Sequence, residues 1–171
     1  TDSRSLSFPE ETLFFALTTK RNDGARYIPD LYSRGVRNFV VSKEAYKWVE
    51  SGQLAMSNSD MLAVNFLVVA NPLKALQKLA EQHREQFQIP VIGITGSNGK
   101  TIVKEWLHQL LSPEPVIVRS PRSYNSQIGV PLSVWQMNEQ SELAIFEAGI
   151  SEMGEMRALQ NIIKPTIGIL T

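Results

Sequence analysis

The sequence predicts an α/β protein with two domains, and three observations support this. Short β-branched or aromatic runs alternate with segments of helical periodicity along the 171 residues. The polar segment 81–88 interrupts that alternation, so we place the domain boundary at residues 86 and 87. Beyond it, an apolar strand runs into a glycine-rich turn and an amphipathic helix. We therefore expect a small α/β domain over 1–86 and a mostly parallel, helix-flanked sheet over 87–171.

Local signals define the elements of the first domain. Gly35 is a typical helix stop, and Ser42 offers an N-cap oxygen to the segment that follows it. Asn71 and Pro72 supply an N-cap and a pre-set first helical residue. The predicted elements are strands over 13–17, 38–41 and 63–69, and helices over 27–33, 43–50 and from 72 onward.

The second domain shows the same alternation. The predicted elements are strands over 90–95, 116–118, 143–146 and 166–170, and helices over 100–111, 127–136 and 152–163. The helix over 100–111 carries an apolar stripe that we expect to face the core. Its members are Val103, Trp106, Leu107, Leu110 and Leu111.

Composition and charge argue against several function classes. Seventeen Lys and Arg balance seventeen Asp and Glu, so no basic excess favours nucleic acid or an anionic membrane surface. The absence of Cys excludes disulfides, thiolate metal ligands and cysteine nucleophiles. The longest apolar run, 66–70, is too short to span a bilayer, so no membrane insertion is predicted.

The strongest chemical signal is the segment 91–101, which reads VIGITGSNGKT. A turn between a strand and a helix presents free N–H groups and the positive end of the helix dipole at one point, as a polyphosphate requires. Gly96 and Gly99 let the backbone approach the phosphates. Lys100 would neutralise phosphate charge, and the Thr101 hydroxyl would ligate Mg²⁺. The segment therefore predicts a nucleotide phosphate site.

Two other interpretations fit the spacing of this segment less well. A strict P-loop has glycine five residues before Gly99, where this chain has Ile94. A dinucleotide fingerprint requires G-x-G-x-x-G, whereas Gly93, Gly96 and Gly99 are spaced three apart. Phosphate binding by the strand–turn–helix unit remains the favoured interpretation.

Four ordered motifs resemble the Mur ligases, the ATP-dependent amide ligases that build the peptide of bacterial peptidoglycan. The loop 95–101 resembles their T-G-x-N-G-K-T motif. Residues 2–4 with 13–17 and 23–24 resemble the UDP-binding N-terminal domain. Residues 125–131 resemble the N-N-x-I-G-x-P segment, and residues 144–149 resemble the strand that ends in a magnesium-binding glutamate.

The resemblance implies a set of site residues. The implied ATP contacts are Thr95, Gly96, Ser97, Asn98, Gly99, Lys100 and Thr101. The implied Mg²⁺ ligands are Thr101 and Glu147, and the implied catalytic residues are Lys100, Thr101 and Glu147. The implied substrate contacts are Ser3, Arg4, Asp23, Gly24, Asn125 and Ser126. A guanidinium fork suits a diphosphate, which supports Arg4. Asn125 has an equal alternative role as a cap of the following helix.

The resemblance also implies an activity. Glu147-Ala148-Gly149 and Lys104-Glu105 favour the family member that joins D-alanyl-D-alanine to UDP-N-acetylmuramoyl-tripeptide through an acyl phosphate, in the cytoplasm. Because the chain stops at Thr171, at the end of an apolar strand, we expect a fragment that does not catalyse ligation alone. Two alternatives remain: another P-loop small-molecule kinase, and a non-catalytic sugar-nucleotide-binding module.

Overall fold

A computed structural model describes residues 6–19, 22–53 and 62–171. The chain forms two compact units, 1–75 and 76–171. This division falls within a helix, earlier than the predicted boundary at residues 86 and 87. The end of this helix belongs to the second unit because the buried Arg84 guanidinium donates hydrogen bonds to the carbonyl oxygens of Ile163 (2.9 Å) and Lys164 (3.2 Å). This burial lowers the pKa of Arg84. The assignment of functional domains to 1–86 and 87–171 stays a prediction.

The first unit is built on a parallel sheet of strand order β1-β2-β3. Its elements are β1 (Leu13–Phe15), a 3₁₀ helix (Gly24–Tyr27), α1 (Ile28–Ser33), β2 (Asn38–Ser42), α2 (Lys43–Glu50) and β3 (Asn65–Val69). Phe14 and Phe39 meet edge to face in its core. Because neighbouring parallel strands require crossover connections, the loops after the strands gather at one edge of the sheet.

Helix α3 (Pro72–Arg84) leads into the second unit, a parallel sheet of order β5-β6-β4-β7. The remaining elements are β4 (Val91–Thr95), α4 (Lys100–Leu111), β5 (Ile117–Arg119), α5 (Gly129–Val134), β6 (Leu143–Glu147), α6 (Glu155–Ile163) and β7 (Ile167–Leu170). The two inner strands are buried, as the apolar runs in their sequences require. Helices formed by the described residues all lack the length and apolar character needed to cross a bilayer.

Most predicted elements and caps are present. The Ser42 hydroxyl accepts a hydrogen bond from the Ala45 N–H (3.1 Å), and the side-chain Oδ1 of Asn71 accepts one from the Lys74 N–H (3.0 Å). Helix α6 begins later than predicted, at residue 155. Its Glu155 carboxylate instead accepts the N–H groups of Ser151 (2.6 Å) and Glu152 (2.9 Å), which holds those residues in a turn.

The predicted apolar stripe of α4 is wrong in part. Trp106 and Leu110 are 63% and 79% exposed, whereas Lys104 is fully buried. Successive residues of a helix are separated by about 100°. The buried face therefore spans residues 103, 104, 107 and 111, and residues 106 and 110 fall beyond its edge. A charged residue thus lies on the buried face of α4, at a position that the predicted stripe did not include.

Candidate active site

The loop after β4 forms an open, glycine-dependent turn before α4. Gly96 and Gly99 have φ values of +140° and +80°, which residues other than glycine rarely adopt. A Cβ at Gly96 would overlap the backbone of Thr171. Gly99 is the N-cap of α4, and no side chain among the described residues caps this helix. The first N–H groups of α4 are therefore available to an anion.

Lys100 is the first residue of α4, and its side chain folds back over the turn. Its ammonium donates a hydrogen bond to the Gly96 carbonyl oxygen at 2.7 Å. The positive charge thus lies beside the free N–H groups of the helix start. Both features attract the same kind of ligand, a phosphate group.

Thr101 and Glu147, the two predicted metal ligands, are in contact. The Thr101 hydroxyl donates to Glu147 Oε2 at 3.0 Å, although the residues lie 46 positions apart in sequence. Strand pairing explains the contact, because β4 and β6 are parallel neighbours and Ile94 is opposite Glu147. Glu147 is fully buried at the carboxyl end of β6. It is therefore a fixed carboxylate rather than a mobile loop residue.

Lys104, a residue that sequence reasoning did not place in the site, contacts Glu147. Its Nζ lies 2.9 Å from Glu147 Oε1, and neither side chain is exposed. This contact is ionic rather than a directed hydrogen bond, since no described group donates to Oε1. The sequence signal that could have identified Lys104 is its spacing of three and seven residues from Leu107 and Leu111, which puts it on the same side of α4.

Two further contacts fix the surroundings of this pair. The Ser120 hydroxyl accepts a hydrogen bond from the Glu147 N–H at 3.1 Å. On the outer side of α4, Arg119 donates two hydrogen bonds to the Glu105 carboxylate, which joins β5 to the helix. Burial acts to raise the pKa of Glu105, but the hydrogen bond from Lys104 and the charge of Arg119 outweigh it, so this pKa lies below its ordinary value.

Asn125 and Ser126 line the same cavity as the phosphate turn, and Asn125 packs against Gly149. The Gly149 N–H donates to the Asn125 carbonyl oxygen at 2.8 Å, and a Cβ at Gly149 would lie 2.9 Å from the Asn125 side chain. The Ser126 hydroxyl accepts a hydrogen bond from the N–H of Gly129, the first residue of the next helix, at 3.1 Å.

These segments border one cavity of about 640 Å³ at the carboxyl ends of the strands. The phosphate turn with Lys100, the 125–127 segment and the 149–151 turn line it, together with Glu155 and the end of β7. In parallel α/β sheets, ligands bind at this edge. Five of the predicted contacts therefore line a single space, namely Gly96, Ser97, Lys100, Asn125 and Ser126.

The predicted substrate residues of the first unit are a separate group. Ser3 and Arg4 lie outside the described residues. Asp23 accepts a hydrogen bond from the Ala25 N–H at 3.0 Å and so caps the 3₁₀ helix, while the Gly24 N–H donates to the Leu17 carbonyl oxygen at 2.9 Å. Both residues therefore shape the loop after β1, and substrate contact by them stays a prediction.

The donor set near Thr101 fits a hard divalent cation. Mg²⁺ takes oxygen ligands and is typically held by one or two carboxylates, a hydroxyl and substrate phosphates. The Thr101 hydroxyl and the Glu147 carboxylate are such ligands. Among the described residues, no group of three or more His, Cys, Asp or Glu side chains could hold a metal ion. A cation here would therefore depend on phosphate or water oxygens as well.

Comparisons with curated proteins point to one enzyme family. Residues 94–171 match the model of the Mur ligase middle domain. The UDP-N-acetylmuramoyl-tripeptide–D-alanyl-D-alanine ligase of Borreliella burgdorferi is 38% identical over 161 residues, which is 94% of this chain and 34% of that protein. The ligase of the same name from Bacillus subtilis is 32% identical over 171 residues, covering 100% of this chain and 34% of the relative. The chain thus spans about a third of the length of these relatives.

Solved structures agree with this result. The MurF ligase of Thermotoga maritima, solved in complex with ADP, is 26% identical with a TM-score of 0.74 and covers 96% of this chain and 36% of that one. A MurF structure from Acinetobacter baumannii is 24% identical with a TM-score of 0.77. The match covers 96% of this chain and 34% of that one, and it supports the fold. Motifs, fold and comparisons all agree: the chain belongs to the Mur ligase family.

Proposed function

We propose that this chain binds ATP with Mg²⁺ in the cavity beside residues 95–101 and supplies the nucleotide site of a ligase. The observation that carries the proposal is the Thr101–Glu147 contact at the start of a helix that no described side chain caps. Phosphate binding requires free N–H groups and a cation, and metal binding requires hard oxygen ligands. The bound ADP of the Thermotoga maritima relative supports the same proposal.

The proposed reaction joins D-alanyl-D-alanine to UDP-N-acetylmuramoyl-tripeptide, as the names of the curated relatives describe. A carboxylate is a poor acyl donor, so the tripeptide carboxylate would first attack the γ-phosphorus of ATP. An oxygen–phosphorus bond forms as the bond to the bridging oxygen breaks and ADP leaves. The D-alanyl-D-alanine amine then attacks the carbonyl carbon of the acyl phosphate. Phosphate departs, the amine loses a proton, and an amide results.

Each residue of the phosphate turn has a role in this proposal. The backbone at Gly96 and Gly99 approaches the phosphates, and the Lys100 ammonium moves from the Gly96 carbonyl oxygen to a phosphate oxygen. Thr101 and Glu147 would hold Mg²⁺, which would neutralise charge on the phosphate oxygens. Thr95, Ser97 and Asn98 complete the turn. Asn125 and Ser126, which line the same cavity, would contact the peptide substrate.

The proposal is tested by measuring the affinity of a non-hydrolysable ATP analogue with Mg²⁺, by calorimetry, for the wild type and Lys100→Ala. A charge-assisted hydrogen bond contributes about 1.5–3 kcal/mol, so we expect the variant to bind about ten- to a hundredfold more weakly. In the enzyme carrying its remaining domains, Lys100→Ala should abolish turnover. The control is Lys78→Ala, which removes an exposed lysine paired with Glu81. Equal affinities for the two variants would refute the assignment of Lys100.

Reaction products and ligand binding distinguish this function from its two alternatives. Formation of ADP together with a phosphorylated acceptor and no amide would indicate a P-loop kinase. Binding of a UDP-sugar without any binding of ATP and Mg²⁺ would indicate a sugar-nucleotide-binding module.

The first unit, with Asp23 and Gly24, is the proposed UDP site, and a cytoplasmic location belongs to the same proposal. Retention of UDP affinity after Asp23→Ala would argue against Asp23 as a contact.

A further inference from the structure

Lys104 is a buried charge that the proposed reaction does not yet use. Its side chain is fully buried on α4, one turn beyond Lys100. Lysine is almost never fully buried without a partner, because removing an ammonium group from water has a large desolvation cost. The contacts of Lys104 must therefore compensate for a large desolvation penalty.

These contacts join three separate parts of the second unit. The Lys104 Nζ donates hydrogen bonds to the carbonyl oxygens of Ser120 (2.8 Å) and Arg122, both in the loop after β5. The same atom lies 2.9 Å from Glu147 Oε1, at the end of β6. One ammonium group thus connects α4, the 120–122 loop and the carboxylate of the proposed metal site.

The Glu147 carboxylate is held from two sides by one helix. Thr101 donates to Oε2, and Lys104 faces Oε1. These side chains lie three residues apart on the same face of α4, so the two contacts fix the plane of the carboxylate. The 120–122 loop leads within a few residues to Asn125 and Ser126, which line the cavity. A change at Lys104 would therefore affect both the proposed metal ligand Glu147 and the cavity-lining residues Asn125 and Ser126.

We propose that Lys104 is a positioning residue whose ammonium holds the Glu147 carboxylate and the 120–122 loop in one arrangement, ready for a divalent cation that binds with the nucleotide. The inference rests on the proposed nucleotide and metal function. Lys104 acts through Glu147 and touches no reacting group.

The experiment measures binding of a non-hydrolysable ATP analogue by calorimetry, once with Mg²⁺ and once with EDTA. Lys104→Met keeps a long apolar side chain but removes the charge. We expect it to lose most of the affinity gained from Mg²⁺, about tenfold or more, while the affinity in EDTA changes less than about threefold. The control, Lys164→Met, removes an exposed lysine paired with Glu85 and should bind as the wild type does.

A second pair of variants tests the route of action and remains informative if Lys104→Met does not fold. We expect Lys104→Met/Glu147→Gln to show the same effect of Mg²⁺ as Glu147→Gln alone, because Lys104 acts through that carboxylate. A further loss in the double variant would overturn the inference, as would an undiminished Mg²⁺ effect in Lys104→Met. Absence of analogue binding in the wild type would instead refute the proposed function.

Discussion

Thr101→Val tests the contact at the centre of the proposed site. Valine has nearly the same shape as threonine but lacks the hydroxyl that donates to Glu147 Oε2. Because Glu147 is fully buried, water has no direct access to replace the lost donor. A hydrogen bond to a charged group contributes about 1.5–3 kcal/mol, so we expect the free energy of unfolding of the second unit to fall by that amount.

Thr101→Ser provides the matched control for this change. Serine keeps the hydroxyl and removes one methyl group from a half-buried side chain. Deleting a buried methyl group costs about 0.5–1.5 kcal/mol, and partial exposure reduces the cost. We therefore expect Thr101→Ser to lose less than about 1 kcal/mol. Only Thr101→Val should also reduce the gain in ATP-analogue affinity from Mg²⁺.

Urea unfolding followed by tryptophan fluorescence measures these differences. The chain contains three tryptophans, and Trp48 lies in the first unit. Trp48→Phe as the background leaves Trp106 and Trp135, which report on the second unit. Equal stability losses for Thr101→Val and Thr101→Ser would refute the reasoning. So would a Thr101→Val variant within about 0.5 kcal/mol of its parent.

Two further predictions concern the turn and the start of α6. Gly96→Ala places a side chain at a φ of +140° and against the Thr171 backbone, so the ATP-analogue affinity measured by calorimetry should fall about five- to 150-fold, given strain of about 1–3 kcal/mol. Gly168→Ala, whose Cβ would meet no atom within 4 Å, should keep the parental affinity, and equal losses would contradict the argument. Hydrogen bonds from the Ser151 and Glu152 N–H groups lower the pKa of Glu155 below its ordinary 4.5, so their stabilisation is present above that pH and is lost as pH falls through the folded-state pKa. Glu155→Gln should lower the urea midpoint at pH 7. Between pH 7 and about pH 3 the midpoint should decrease less in this variant than in the wild type, and an equal decrease in both would count against this role.

Prediction from sequence succeeded where a few neighbouring residues decide the conformation. The bounds of α4 match those predicted, because the glycine turn before Lys100 and the 3.6-residue period are local signals. The Ser42 cap is equally local. Prediction failed at Trp106 and Leu110, because the buried face of α4 was chosen on hydrophobicity alone and did not include Lys104.

Residues adjacent in sequence were enough to predict the strand, turn and helix of the phosphate site, since backbone preferences there depend on near neighbours. The contact of Thr101 with the distant Glu147 carboxylate, and of that carboxylate with the buried Lys104, became evident from the folded structure alone. Those contacts depend on the strand order β5-β6-β4-β7, which brings Glu147 beside a helix 46 residues earlier in the chain. Strand order depends on the burial of apolar faces across the whole unit, and no local pattern contains that information.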